Sequence, residues 1–237
     1  NTRFKRILKY DSEIAFVDFH VGQLIKKIKS LGIYEDSLII FVSDHGESFG
    51  EHNYFKHGRK LYNSTLNVAF ITKLPGNKFR NTIRKDNVSL MDLSPTILRF
   101  LKLPVPRQME GTPIFETTNQ RKVIHLETYK NSLQRRRGES FQLKVKPIRY
   151  GVLVDKTKLI YNIKDKTYEA YNLDSDVFET KNLYDQAPDA FKTFKHLLIK
   201  QMVDIKDYIK YSSKFFHQKS KLSKKDIEKL KSLGYIE

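Results

Sequence analysis

The sequence predicts an α/β fold carrying a smaller C-terminal subdomain built from an antiparallel sheet and a closing helix. Three observations predict it. Apolar residues recur at three- and four-residue steps from about 10 to 31, the spacing of one helix face. Two apolar runs, at 37–43 and 67–74, flank a long polar loop and read as strands. Further on, short alternating segments around 150–154, 158–162 and 169–173 follow one another between turn residues, the pattern of a meander.

The first helix takes Ile14, Val17, Val21, Leu24, Ile25, Ile28 and Leu31 as its buried stripe. Asp11 or Ser12 caps its start, and Gly32 ends it. Residues 38–42 and 68–71 are nearly continuous apolar runs, as in strands of a parallel sheet covered on both faces. Pro75-Gly76 closes the second run. Residues 88–103 read as a short strand running into a helix, with Pro95 in its first turn and Ile97, Leu98 and Leu101 on its buried face. A Pro- and Gly-bearing loop follows, and the division is placed there: residues 1–118 as the α/β part, 119–237 as the C-terminal subdomain. That subdomain takes a strand at 123–127, a basic loop at Arg135-Arg136-Arg137, the meander, a helix at 188–211 and a last short helix at 223–233. Phe191, Phe194, Leu197, Leu198 and Met202 share one side of the longer helix.

Composition narrows the function classes. A hydrophobic content of 39% over 237 residues supports a real core and excludes a disordered chain. Lys and Arg number 44 against 27 Asp and Glu, a formal +17 that favours an anionic partner. The basic residues are scattered, and no motif interleaves them with aromatics, so nucleic acid is set aside. With no cysteine, disulfides and thiolate metal sites are excluded. No apolar run reaches about 18 residues, so no membrane segment is expected. The compartment stays open. The chain opens on Asn1 rather than Met, which predicts missing upstream sequence.

The chemistry concentrates in Ser43-Asp44-His45-Gly46-Glu47 with Gly50-Glu51-His52 and His57. An apolar strand delivers a carboxylate and an imidazole to a Gly-rich turn, where α/β folds place ligands. Such a pair makes half of a metal site. His57, twelve residues after His45, is the candidate proton donor. Lys60 and Lys56 are cations for the same task, and Glu47 reads as a brace for the turn. His52 reads as a solvated loop residue, Asp18 and His20 as polar helix residues, and His125 and Glu127 as solvated strand positions.

Six separated blocks resemble the sulfatase family of the alkaline phosphatase-like superfamily. They are Tyr10-Asp11-Ser12-Glu13-Ile14 with Val21-Gly22; Phe41-Val42-Ser43-Asp44-His45-Gly46-Glu47; His57-Gly58-Arg59-Lys60-Leu61-Tyr62 with Leu74-Pro75-Gly76; Val88-Ser89-Leu90-Met91-Asp92-Leu93-Ser94-Pro95; Tyr171-Asn172-Leu173-Asp174 with Glu179 and Asn182-Leu183; and the ending Leu233-Gly234-Tyr235. The resemblance implies an alkaline phosphatase-like sheet with flanking helices, incomplete here, and metal-dependent hydrolysis of a sulfuric ester. It implies Asp44 and His45 as metal ligands, His57 as the catalytic residue at the sulfate or leaving oxygen, and Lys60 as a substrate-binding cation. It implies a divalent metal, Ca²⁺ first, with Mg²⁺, Mn²⁺ or Zn²⁺ open because His45 is an imidazole donor. Asp92 resembles a structural position near a helix start.

One family feature is missing. The family nucleophile is a formylglycine made from Cys or Ser in a Cys/Ser-x-Pro-x-Arg motif, and no such motif occurs in these 237 residues. The expectation is a C-terminal part beginning after the nucleophile region, inactive alone. The alternatives are a phosphodiester or phosphonate ester hydrolase or a phosphoethanolamine transferase of the same superfamily, or a non-catalytic anion-binding remnant.

Overall fold

The computed structural model describes residues 2–115, 123–129, 147–215 and Glu228. The chain forms two compact units, Asn1–Leu198 and Ile199–Glu237. The division expected at 118/119, the Arg135–Arg137 loop and nearly all of the last helix lie outside the described residues.

Helix α1 (Thr2–Ser30) is longer than its stripe suggested and needs no cap at Asp11 or Ser12. Gly32 follows it in the left-handed region at φ +72°, which glycine adopts without a Cβ penalty. The buried stripe is a correction: no residue of α1 is buried, and Ile14, Val17, Leu24 and Leu31 are exposed. Periodicity reports which side of a helix is apolar, not whether anything covers it. The start of α1 is engaged, with Tyr10 edge-on to Phe49 at 5.1 Å, Arg3 on Glu51 at 3.2 Å and Arg6 over the Phe55 ring.

Strands β1 (Ile39–Val42), β2 (Ser48–Phe49) and β3 (Phe55–Lys56) follow, then helix α2 (Asn63–Leu66) and strand β4 (Phe70–Lys73). The parallel reading of the two apolar runs is corrected: β1 and β4 pair antiparallel, Ile39 opposite Lys73 and Val42 opposite Phe70. Neither pairs with another strand among the described residues, and Phe41 and Ile71 are exposed. A continuous apolar run favours a covered parallel strand and does not by itself fix strand direction.

Helix α3 (Leu93–Phe100) also departs from expectation. Residues 88–92 just before it form no strand. A 3₁₀ turn at Leu90–Asp92 precedes the helix, and Ser89 caps that turn. Asp92 is buried and accepts from the backbone N–H of Ser89 (2.8 Å) and Thr112 (2.7 Å), a structural role. Pro95 and Thr96 are the buried residues of α3, whereas Ile97 and Leu101 are exposed.

The meander forms as read. Strands β5 (Val123–Tyr129), β6 (Pro147–Val154), β7 (Thr157–Asn162) and β8 (Thr167–Asn172) make one antiparallel sheet in sequence order. Its two-residue side-chain period is what the alternating sequence encoded. Helix α4 (Lys192–Phe215) follows the sheet in the chain, and the second compact unit begins within it at Ile199. No helix among the described residues is long and apolar enough to cross a membrane.

One contact set positions the site. Residues 58–62 run across the sheet, and each strand holds one of them. Thr128 of β5 donates to Gly58 O (2.6 Å), and Arg149 of β6 to Arg59 O. Lys158 of β7 donates to Leu61 O (3.2 Å), and the Tyr62 hydroxyl donates to Glu169 of β8 (2.5 Å). Leu61 and Tyr62 pack with Ile160 and Tyr171 as the core of this junction. Gly151 makes room for it, since a Cβ there would sit 3.3 Å from Leu61 Cδ1. Burial of a Leu or Tyr body of this kind stabilises by about 1.5–3 kcal/mol.

Candidate active site

Strand β1 ends at Val42, and the next residues carry the chemistry. Ser43 ties the strand end to its partner segment, its N–H donating to Ala69 O (3.1 Å) and its hydroxyl accepting from Ala69 N (3.0 Å). Gly46 then packs against α2. Its N–H donates to Thr65 O (2.9 Å), and a Cβ at this position would collide with the Ser64 carbonyl oxygen. The hydroxyls of Ser48 and Ser64 share a 2.6 Å hydrogen bond beside it. Thus α2 fixes the turn that presents Asp44 and His45.

The Asp44 carboxylate stands in solvent, its side chain 88% exposed, with Oδ1 3.7 Å from His45 Nε2. His45 Nδ1 lies 2.8 Å from Gly46 O, which only accepts, so Nδ1 carries the proton and Nε2 the lone pair of the neutral ring. The His57 ring stacks on that of His45 with centroids 3.8 Å apart and planes at 27°. His57 Nδ1 donates to Glu47 Oε2 at 2.7 Å, so its reactive nitrogen is also Nε2. Ligand-capable atoms of His45, Glu47 and His57 all lie within 4.8 Å of one another.

The structure therefore brings His45, Glu47 and His57 together, and Asp44 approaches the group through His45, 3.7 Å away. Glu47 is the residue that sequence reasoning placed differently: it braces His57 rather than the turn, and its ten-residue separation from His57 gave no signal. Lys60 lies elsewhere in the junction. Its ammonium sits over the Tyr62 ring at 5.6 Å, in the field of Arg149, Glu169 and Asp165. Burial and then Arg149 pull its pKa below the usual lysine value, with Glu169 and Asp165 opposing. His52 has a structural place, stacked on Tyr62 at 3.6 Å and bonded through Nε2 to Phe178 O (3.1 Å). His125 and Glu127 are exposed on β5.

Comparison with known proteins bears on what this turn belongs to. Residues 2–103 match the family model Sulfatase. That stretch is sulfatase-like. The arylsulfatase of Clostridium perfringens is 29% identical over 115 residues, covering 47% of this chain and 24% of the relative. A protein solved with its substrate D-glucosamine-2-N,6-O-disulfate superposes with a TM-score of 0.62 at 23% identity, covering 82% of this chain and 40% of that one. The phosphonate monoester hydrolase of Agrobacterium radiobacter superposes equally, at a TM-score of 0.62, 19% identity, 82% and 40%. The fold is thus that of the sulfatases and their phosphonate-cleaving neighbours. The match spans about a quarter of the arylsulfatase and two fifths of the solved chains.

Proposed function

We propose that these residues belong to a metal-dependent sulfuric ester hydrolase, in which Asp44 and His45 hold part of a divalent cation and His57 serves the reacting ester. The observation that carries this is the His45–His57 stack beside Asp44, at the end of a strand within the sulfatase-like stretch. An exposed carboxylate and an imidazole with a fixed Nδ1 proton form a donor set that fits a hard or borderline divalent cation. Calcium is the first candidate, and the imidazole nitrogen also suits Mg²⁺, Mn²⁺ or Zn²⁺. When bound, such a cation would polarise the sulfuryl oxygens.

The chain's own residues do the rest. Gly46 and α2 hold Asp44 and His45 in place. Glu47 holds the His57 Nδ1 proton and leaves Nε2 as the free nitrogen, an acceptor in the neutral ring; the imidazolium form, paired with the Glu47 carboxylate, is the one that donates from Nε2 as negative charge develops on the leaving oxygen. The formylglycine nucleophile has no counterpart here: the 237 residues contain no Cys and no Ser-x-Pro-x-Arg. We place the nucleophile outside them, and no covalent step is assigned to any residue of this chain.

The second reading, phosphonate or phosphodiester hydrolysis, draws on the equal superposition with the Agrobacterium enzyme. The test is to express the whole protein and compare a chromogenic aryl sulfate with an aryl phosphonate monoester, with and without chelator. Chelator-sensitive sulfate cleavage in excess supports the first reading, and phosphonate cleavage in excess supports the second. The isolated 237-residue chain should turn over neither.

A further inference from the structure

Lys158 and Glu179 form an ion pair at 2.6 Å with both side chains only 1% exposed. Nothing in the chemistry above uses it. Removing two charges from water costs several kcal/mol per ion, repaid only when every remaining donor and acceptor is engaged. Here they are engaged, and all on one target. Lys158 Nζ donates to Glu179 Oε1, to Leu61 O (3.2 Å) and to Asn63 Oδ1 (2.8 Å). Glu179 Oε2 accepts from the backbone N–H of Asn63 (2.6 Å). The Asn63 amide also donates to Val177 O (3.3 Å).

Asn63 is the first residue of α2, and its backbone N–H has no helical acceptor of its own. A helix of four residues has little stability in isolation. The orientation of α2 is therefore set from outside, at Asn63. The other end of α2 sets the metal turn, since Thr65 O receives Gly46 N–H and Ser64 Oγ bonds Ser48 Oγ. A continuous chain of bonds thus leads from Lys158–Glu179, through Asn63 and α2, to Gly46 next to His45.

We infer that Lys158 and Glu179 are positioning residues for the metal turn: the buried pair fixes α2, and α2 fixes Asp44 and His45. This rests on the reading of Asp44 and His45 as metal ligands. Each residue of the pair does a separate part, the ammonium holding the segment before α2 and the carboxylate capping its first N–H.

The test uses the 237-residue chain as it exists, Mn²⁺ as the probe, and two variants. Glu179→Gln keeps the shape and removes the charge. The double variant Lys158→Met/Glu179→Leu replaces the pair by apolar groups of similar volume, a change that often preserves stability. Amide exchange is read at Gly46 and Glu47 and on strands β6 and β7, and Mn²⁺ affinity by electron paramagnetic resonance. The inference predicts at least tenfold faster exchange at Gly46 in the double variant while the strands stay protected, with Mn²⁺ affinity falling at least tenfold. Wild-type exchange at Gly46 in a folded double variant overturns the inference. So does loss of protection in the strands together with the turn in both variants, which marks a merely structural pair. If the wild-type chain binds no Mn²⁺, the ligand reading fails, and the exchange arm still decides the coupling of the pair to the turn.

Discussion

The ring of His57 lies against that of His45 at 3.8 Å, and each ring has its Nδ1 proton committed to an oxygen acceptor, Glu47 Oε2 and Gly46 O respectively. Chemistry at either ring therefore runs through Nε2. Two imidazoles held by their own backbone and by one carboxylate are oriented before any ligand arrives, which lowers the cost of binding one. His45 stands beside the Asp44 carboxylate and His57 beside Glu47.

Glu47→Ala is expected to lower the rate of the whole enzyme about 10–100-fold, the usual cost of removing a carboxylate that orients a functional imidazole. Metal content should be unchanged. Steady-state kinetics with metal analysis checks this, and a variant that loses metal as well would move Glu47 into the ligand set.

Gly46→Ala should be among the most damaging single changes in the turn. The new methyl meets the Ser64 carbonyl oxygen and lies 3.2 Å from Asn67 O, both backbone atoms that yield only if α2 moves. Overpacking of this kind costs about 1–3 kcal/mol. A thermal melt should register the loss, and metal affinity should fall with it.

Acid stability should depend on Glu169. Burial pushes its pKa up, but hydrogen bonds from Tyr62, Asn162 and Tyr171 and the charge of Lys60 outweigh that and leave it below the ordinary glutamate value. A depressed carboxylate contributes stability that is present above its unfolded pKa, about 4.3, and is lost as pH falls through the folded value. The window therefore lies below about pH 4.3. Glu169→Gln should flatten the fall in melting temperature across that window, and an unchanged acid limb would show that Glu169 carries no part of it.

Much of this was legible in the sequence, for reasons that differ by element. The meander was readable because alternation is the strand period itself, and β5 to β8 need only their neighbours. The Asp44-His45-Gly46 turn was readable because an apolar strand ends in it. The exposure of α1 was not readable, because a stripe at Ile14, Val17 and Leu24 says what a helix could bury and not what covers it. The antiparallel pairing of β1 with β4 was not readable, since Ile39 opposite Lys73 is a matter of chain path. Least legible was the anchoring of residues 58–62. Lys158 and Glu169 look like ordinary surface charges on a half-polar sheet until Leu61 and Tyr62 lie across them.

The division of roles between Asp44 and His57 is open to a direct measurement. Metal content by mass spectrometry should be measured beside aryl sulfatase rate in Asp44→Ala and His57→Ala forms of the whole enzyme. Asp44→Ala should lose metal and activity together. His57→Ala should keep its metal and lose about a hundredfold or more in rate, the scale of removing one transition-state donor. Equal metal loss in both variants, or full activity without His57, would contradict the account.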